Sequence, residues 1–284
     1  MSENTKPRGV DLSGYNAIKD YGELKRLGYT FAIIKAVGSR GAADKFAVHA
    51  EGCGKAGLNI GSYIYSYARS KAAAEKEALI AVNEAKPFSL DLPIWLDLED
   101  TSLLGGLTSE ERTANAEAAL AVITNAGYRA GVYANPDWLE NKLVKSRIIG
   151  KYPLWLAHWT HSPDKPSKYA ESYNADIWQW GCDKLGGADV DSNIALHDIA
   201  AGNPTPPPKV SDKYKVYVYG SVLNIREEPG LSAPKAGTPL ADLTEVTAYL
   251  PEDVRSVNGQ KWLYVYVPSA DIYGWVVKTS LVRV

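Results

Sequence analysis

The sequence is poor in the residues on which thiol, metal and membrane chemistry depends. It holds only two cysteines in 284 residues, Cys53 and Cys182. Disulfide-stapled secreted domains use many more, so both are expected to be reduced and partly buried, with pairing between them left open. Of the four histidines, only His158 and His161 lie close together, with no cysteine or His–Glu motif beside them. That pattern is poor for zinc, and neither metal nor cofactor is expected. There is no G-x-S-x-G nucleophile elbow, and the glycines around Cys53 do not fit a phosphate-binding loop. No apolar run reaches 18 residues, so no membrane insertion is expected. Met1 to Gly9 is polar and no apolar stretch follows it, which predicts no signal peptide and a protein soluble in the cytoplasm where it is made. Neither sign of charge is in excess: 31 Lys and Arg stand against 33 Asp and Glu, a net −2. Nucleic acid is therefore not an expected partner.

Phenylalanine is scarce as well, 3 residues against 18 Tyr and 8 Trp. Tyr and Trp join a flat apolar face to a polar handle. That pairing suits sugar rings, whose C–H faces stack while their hydroxyls hydrogen-bond. It suits an aromatic-rich core equally well, and composition alone does not choose between them.

The chain divides at residues 201–213, where Pro204, Pro206, Pro207 and Pro208 exclude helix and central strand and favour a semi-rigid extended spacer. A large domain, residues 1–200, precedes it, and a small one, residues 214–284, follows. The first alternates short apolar runs (Arg8–Ser13, Thr30–Ala36, Ile60–Tyr67, Leu92–Glu99, Arg129–Ala134, Pro153–Trp159, Ala175–Gly181 and a short eighth near Ala188–Asp191) with helical patterns. The helices are predicted at Ala17–Leu27, Asp44–Ala56, Lys71–Ala85, Ser109–Ala126 and Pro136–Ser146. Thr108 and Glu111 make a capping box for the fourth, and Gly127 closes it. Alternation of this kind predicts parallel strands with helical crossovers. The fold class is α/β, an irregular, TIM-like (β/α) barrel whose later units lack helices, with His161–Tyr173 as loop. The small domain has only β-rich runs (Tyr214–Tyr219, Leu223–Arg226, Glu245–Tyr249, Trp262–Val267, Gly274–Val277) and turns at Glu228–Gly230, Asn258-Gly259 and Tyr273-Gly274, which predicts a small all-β unit.

Chemistry in a (β/α) barrel sits at the C-terminal strand ends. The fourth strand ends in W-L-D-L-E-D, with Asp97 and Glu99 two apart, on one face and with Cα atoms about 6.5 Å apart. Mutual repulsion and burial raise at least one pKa, and one neutral acid beside one carboxylate is what glycoside hydrolysis needs. Most acid-x-acid pairs are solvated surface, as expected for Glu75/Glu77. This pair differs in ending an apolar strand. Asp11 ends the first strand and Asp191 lies near the last; barrel closure brings them to one rim, with Asp189 competing for the role of Asp191. Among the aromatics, Tyr65, Tyr133 and Trp155 are the candidates for a sugar cleft. Tyr63, Trp178 and Trp180 complete the set, some of which must face the helices.

The segments G-V-D-L-S-G-Y-N (9–16), W-L-D-L-E-D (95–100), P-L-W-L-A-H-W (153–159), I-W-Q-W (177–180) and D-V-D-S-N (189–193) resemble glycoside hydrolase family 25, in order, over about residues 8–198. The resemblance implies a muramidase (lysozyme) that cuts the β-1,4 bond between N-acetylmuramic acid and N-acetylglucosamine in bacterial peptidoglycan. It makes Glu99 the general acid. Asp97 assists at the anomeric side by orienting the 2-acetamido group, and Asp11 and Asp191 are the other cleft carboxylates. Lys35 is kept in I-K-A-V-G-S-R-G, although the acidic residue common just after it is absent, and His158 replaces a common tyrosine. Lys35 and Gln179 join Tyr65, Tyr133 and Trp155 as substrate-binding candidates. S-V-L-N-I-R-E-E-P-G (221–230) and Y-G-W-V-V-K-T-S-L-V (273–282) resemble SH3-like wall-binding domains. There Tyr217, Tyr219, Tyr249, Trp262, Tyr264 and Tyr266 are candidates for groove or core. The implied partner is peptidoglycan, glycan strand in the barrel and peptide or cross-bridge at the small domain. A wall-cutting fold without a signal peptide implies an endolysin held in the host cytoplasm until lysis. A glucosaminidase on the same scaffold and a non-catalytic wall-binding protein are the alternatives.

Overall fold

The computed structural model describes residues 6–39, 41–185, 188–200, 212–248, 254–270 and 272–284. The chain forms two compact units, Met1–Pro206 and Pro207–Val284. Most of the expected linker, and Tyr249, lie outside the described residues. The first unit is a mixed α/β fold around a closed barrel of eight strands. These are β1 (Arg8–Leu12), β2 (Tyr29–Gly38), β4 (Asn59–Tyr65), β5 (Ile94–Asp97), β6 (Ala130–Ala134), β7 (Leu154–Ala157), β8 (Ile177–Leu185) and β9 (Ala188–Ala195). A two-residue strand, β3 (Gly41–Ala42), folds back on β2.

Pairing runs parallel from β1 through β8, and β1 pairs with both β2 and β9, which closes the ring. The eighth strand corrects the expectation of an all-parallel barrel. It is eight residues long rather than a short tail, and it runs antiparallel to both neighbours, β8 and β1. Too few residues separate β8 from β9 for a crossover, so the chain can only double back as a hairpin.

Helices flank the early units: α1 (Tyr21–Arg26), α2 (Phe46–Lys55), α3 (Lys71–Ala85) and α4 (Ser109–Asn125). The first is shorter than its apolar pattern because the Asp20 side chain accepts from the Gly22 N–H and caps it there. The capping box of α4 forms as read, Thr108 N–H to Glu111 at 2.7 Å and Glu111 N–H to Thr108 at 3.2 Å. Gly127 follows its end at φ 84°, a left-handed stop that suits glycine. The fifth helical pattern is realised only as a π turn (Trp138–Lys142) and a 3₁₀ turn (Lys145–Arg147). The stretch read as pure loop holds a short helix, α5 (Lys168–Ser172), capped by Ser167.

Strand alternation decides what fills the barrel. Phe31, Ile33, Tyr63, Trp95, Tyr133, Trp155 and Ile177 form one buried cluster inside it. Trp155 packs edge-on against Tyr133, Tyr63 and Trp95, with ring centroids 4.5, 6.0 and 5.9 Å away. Two of the largest rings lie over glycines on the neighbouring strand. Trp95 pairs in register with Gly131, and Phe31 with Gly9. A Cβ at either glycine would overlap the ring beside it. Trp178 and Trp180, of opposite parity, point outward. Cys53 and Cys182 are unpaired thiols. Among the described residues no helix is long and apolar enough to cross a membrane.

Among its described residues the second unit is all β apart from one 3₁₀ turn, Lys278–Ser280. Its strands are β10 (Asp212–Val216), β11 (Glu245–Ala248), β12 (Val254–Val257), β13 (Gln260–Val267), β14 (Ile272–Val277) and β15 (Leu281–Arg283). They form an antiparallel sheet in the order β12-β13-β11-β10-β15, with β14 also on β13. Asp212 and Lys213, expected in the linker, open β10. Asn258 and Gly259 make the two-residue hairpin between β12 and β13 with φ of 49° and 79°. Tyr273-Gly274, expected as a turn, lies within β14, and Leu223–Arg226 makes only isolated bridges. Alternation on β13 separates the aromatics. Leu263, Val265 and Val267 enter the core. Trp262, Tyr264 and Tyr266 take the other face, where Trp262 is buried and Tyr266 lies 4.6 Å from the Tyr273 ring. Tyr219 is 92% exposed.

Replacing Gly131 with alanine forces Trp95, Trp155 or β6 to move. The expected cost is about 1–3 kcal/mol, read as a lower denaturant midpoint at unchanged slope. An unchanged midpoint would mean that the interior is less tightly packed than the register implies.

Candidate active site

The same alternation brings the predicted carboxylates to one end of the barrel. Asp11, Tyr65, Asp97 and Tyr133 lie at or within one residue of the C-terminal ends of their strands and Lys35 lies in the C-terminal half of β2, with side chains directed inward. Tyr65, Asp97 and Tyr133 are successive cross-strand neighbours. The strand carrying Asp97 ends there, two residues sooner than its apolar run. Backbone bonds from Leu98 N–H to Tyr133 O (3.0 Å) and from Ser66 N–H to Asp97 O (3.1 Å) nonetheless carry the ladder one step on and fix the direction of Glu99. Asp191 meets Asp11 one step beyond the last β1–β9 pair, Val10 with Ser192. Asp189, its competitor, instead pairs with Lys184 at 2.8 Å on exposed surface.

Crowding and burial push all four carboxyl groups upward. Asp97 is buried, and its Oδ1 has no hydrogen-bond partner, so no protein group replaces the water lost there. Burial first, then the Glu99 charge, raises it well above the ordinary range, against the pull of Lys35. Glu99 is raised chiefly by burial, opposed first by the Tyr133 hydroxyl and then by Lys35. Asp11 is pushed up to about 7 by burial and by Asp191, with hydrogen bonds from Asn193 and Gln179 working the other way. Asp191 rises to about 6 through burial and then Glu99. Lys35 is lowered by burial and lies 4.3 Å above the Tyr65 ring.

One hydrogen-bonded chain ties Glu99 to Asp11. Tyr133 Oη lies 3.3 Å from Glu99 Oε2 and 3.1 Å from Gln179 Oε1. Gln179 Nε2 donates to Asp11 Oδ2 at 3.0 Å, and Asn193 Nδ2 donates to the same oxygen at 2.9 Å. Each amide is held from behind by an indole: Trp159 Nε1 donates to Gln179 Oε1 at 2.9 Å, and Trp155 Nε1 to Asn193 Oδ1 at 2.8 Å.

Two expected cleft residues therefore lie beneath it. Trp155 is 1% and Gln179 3% exposed; the first packs the floor and the second is engaged by protein groups on both ends. Trp159, just past β7, keeps an open aromatic face, 43% exposed. Neither Trp159 nor Asn193 was singled out from sequence. The i, i+2 spacing from Asp191 to Asn193, and from Ala157 to Trp159 just past β7, carried the signal. Glu75 and Glu77 are not a solvated pair either. Glu75 is buried. Glu77 accepts from Ser66 Oγ and Tyr67 N–H, both at 2.8 Å, anchoring the loop behind Tyr65, and burial pushes it up to about 7.

Comparison with known proteins bears on this arrangement. The model of glycosyl hydrolases family 25 matches residues 10–185. A probable GH family 25 lysozyme of Dictyostelium discoideum is 28% identical over 159 residues, 55% of this chain and 73% of its own length. A family 25 glycosyl hydrolase from Bacillus anthracis superposes with a TM-score of 0.56 at 19% identity, over 70% of this chain and 92% of that one. A bacterial lysozyme from Streptomyces coelicolor does so with a TM-score of 0.56 at 22% identity, over 70% and 97%. These structural likenesses show the fold of the barrel unit. The match to the family model spans more than half of the chain, and the chain belongs to glycosyl hydrolase family 25.

Proposed function

We propose that the protein is a peptidoglycan N-acetylmuramidase, a lysozyme that cuts the β-1,4 bond between N-acetylmuramic acid and N-acetylglucosamine. The observation that carries this reading is the cluster of Asp97 and Glu99 with Asp11 and Asp191 at the mouth of a closed barrel, in a chain of this family. Two desolvated carboxyl groups as close as Asp97 and Glu99 do not both ionise without cost, so the pair retains one proton over a wide pH range. Lys35 keeps the pair from becoming wholly neutral. Glu99 then protonates the departing sugar oxygen, and Asp97 faces the positive charge that develops at the anomeric carbon, orienting the substrate's 2-acetamido group. Asp11 and Asp191 add negative potential from across the same rim. Trp159 offers a face on which a sugar ring can stack.

For the second unit the reading is an SH3-like domain that binds wall peptide or cross-bridge. Tyr264, Tyr266 and Tyr273, gathered on the face of the sheet away from its core, support it. A weak wall binder joined to the enzyme raises the local concentration of substrate.

The test is digestion of purified, acetylated peptidoglycan, borohydride reduction, and mass spectrometry of the new sugar ends. New muramitol ends are expected. Glucosaminitol ends would instead make the protein a glucosaminidase, and no new ends would make it a wall-binding protein. Glu99→Gln is expected to lower the rate by roughly 10²–10⁴-fold; near-normal activity in that variant would remove Glu99 from the role of acid.

A stability measurement checks the electrostatics separately. The folded protein holds the Asp97 proton more tightly than the unfolded chain does, so ionising Asp97 costs stability as pH rises above the ordinary carboxylate range. Asp97→Asn is therefore expected to melt higher than the parent at pH 8 and to lose that advantage near pH 4. A lower melting temperature at pH 8 would mean that the carboxylate is a net stabiliser there.

A further inference from the structure

The hydrogen-bonded chain behind Glu99 has a direction that donor chemistry fixes. An indole nitrogen only donates, so the Gln179 atom 2.9 Å from Trp159 Nε1 is the amide oxygen. A carboxylate only accepts, so the Gln179 atom 3.0 Å from Asp11 Oδ2 is the amide nitrogen. The two assignments agree, and neither leaves the amide free to flip. Gln179 Oε1 thus faces Tyr133 as an acceptor and nothing else. Tyr133 has one hydroxyl proton and two oxygen neighbours, Gln179 Oε1 at 3.1 Å and Glu99 Oε2 at 3.3 Å. It cannot donate to both at full strength.

We propose that Gln179 is a positioning residue that draws the Tyr133 hydroxyl proton, so that the hydrogen between Tyr133 and Glu99 comes from Glu99. The inference rests on the glycosidase reading and adds to it an acceptor that favours the protonated form of Glu99. In the resting site Glu99 donates to Tyr133, and Tyr133 donates to Gln179. When Glu99 has passed its proton to the departing sugar oxygen, the Tyr133 O–H turns from Gln179 Oε1 to the new carboxylate. No covalent bond to Tyr133 changes; one hydrogen bond is exchanged for another, and the exchange stabilises charge only after it has formed.

Other titratable groups around Glu99 set its baseline. They are Asp11 on β1, Lys35 on β2, Tyr63 and Tyr65 on β4, Asp97 and Asp100 around the end of β5, Tyr133 on β6 and Asp191 on β9. Tyr65 is the other hydroxyl within reach, but it also donates to Asp100, at 3.2 Å. Replacing Gln179 with methionine keeps the side-chain length and removes both polar ends; of these groups it takes a hydrogen-bond partner only from Tyr133 and Asp11.

The experiment is the pH profile of kcat/KM on peptidoglycan for the parent, Gln179→Met, Tyr133→Phe and the double variant, with the fold of each checked by circular dichroism. Without the amide acceptor, Tyr133 donates permanently to the Glu99 carboxylate, and the basic limb should fall by about one pH unit. Without the Tyr133 hydroxyl, the carboxylate loses its donor and the limb should rise. In the Tyr133→Phe background, Gln179→Met should produce no further shift, because its effect runs through that hydroxyl. A role confined to packing lowers rate or stability but does not move the limb in opposite directions. The proposal is overturned if Gln179→Met leaves the limb in place or raises it, or if it still lowers the limb when Tyr133 is phenylalanine, since its action would then run through Asp11. Absence of activity in the parent would overturn the glycosidase reading itself, whereas these shifts in an active parent bear on Gln179 alone.

Discussion

Charge crowding at a place from which water has been removed is the constraint around which the barrel unit is organised. Asp11, Asp97, Glu99 and Asp191 share one end of the barrel, and burial is the leading cause of the upward shift in each. Had the barrel a wet interior, the four groups would ionise independently and none would hold a proton near neutrality. The interior is instead plugged with rings. Trp155, Trp95, Tyr63 and Tyr133 fill it directly beneath the carboxylates, and glycines at positions 9 and 131 let the largest rings lie flat against the neighbouring strand. The packing of the floor and the chemistry of the mouth are therefore one arrangement. Loosening the first would hydrate the second.

Rigid rings also do directional work. Trp155 and Trp159 lie at different depths, one sealed and one open, yet each uses its single N–H to fix which way a side-chain amide points. Both amides then turn nitrogen toward Asp11. That gives Asp11 two donors, which partly offset the cost of its burial and favour its charged form. Glu99 is treated differently: the hydroxyl nearest to it is shared with another acceptor. Asp11 and Glu99 thus receive different hydrogen-bond partners, and these add to burial in setting their roles.

Much of this was legible from residue order. Strand periodicity located all eight barrel strands to within a few residues, because each apolar run is short and bounded by turn residues. The four carboxylates stood out because acidic side chains at the ends of apolar strands are costly unless they are used. What sequence could not supply is direction and depth. Trp155 and Trp159 look alike in P-L-W-L-A-H-W, and only the end of β7 between them makes one a floor and the other a platform. Glu75 and Glu77 read as surface because a helix pattern rich in alanine does not reveal that Glu75 is buried and that Glu77 reaches back to Ser66 and Tyr67 after β4. The antiparallel last strand was missed because parity is the same whichever way a strand runs.

That last reversal is the departure on which the site most depends. A parallel eighth strand would need a crossover after β8 and would enter the barrel from its far end. The hairpin instead pairs Gln179 directly with Asn193, and Asn193 with Gly9 on β1. Two amides become cross-strand neighbours on the inward face, both within reach of the carboxylate two residues after Gly9. The same register carries Asp191 to the rim beside Asp11. A barrel that closes with an antiparallel strand gives up one helical layer on its outside. In return it gains a rigid pair of amide dipoles at the point where β1, β8 and β9 meet, and through Gln179 that pair reaches Tyr133 on β6, two strands away.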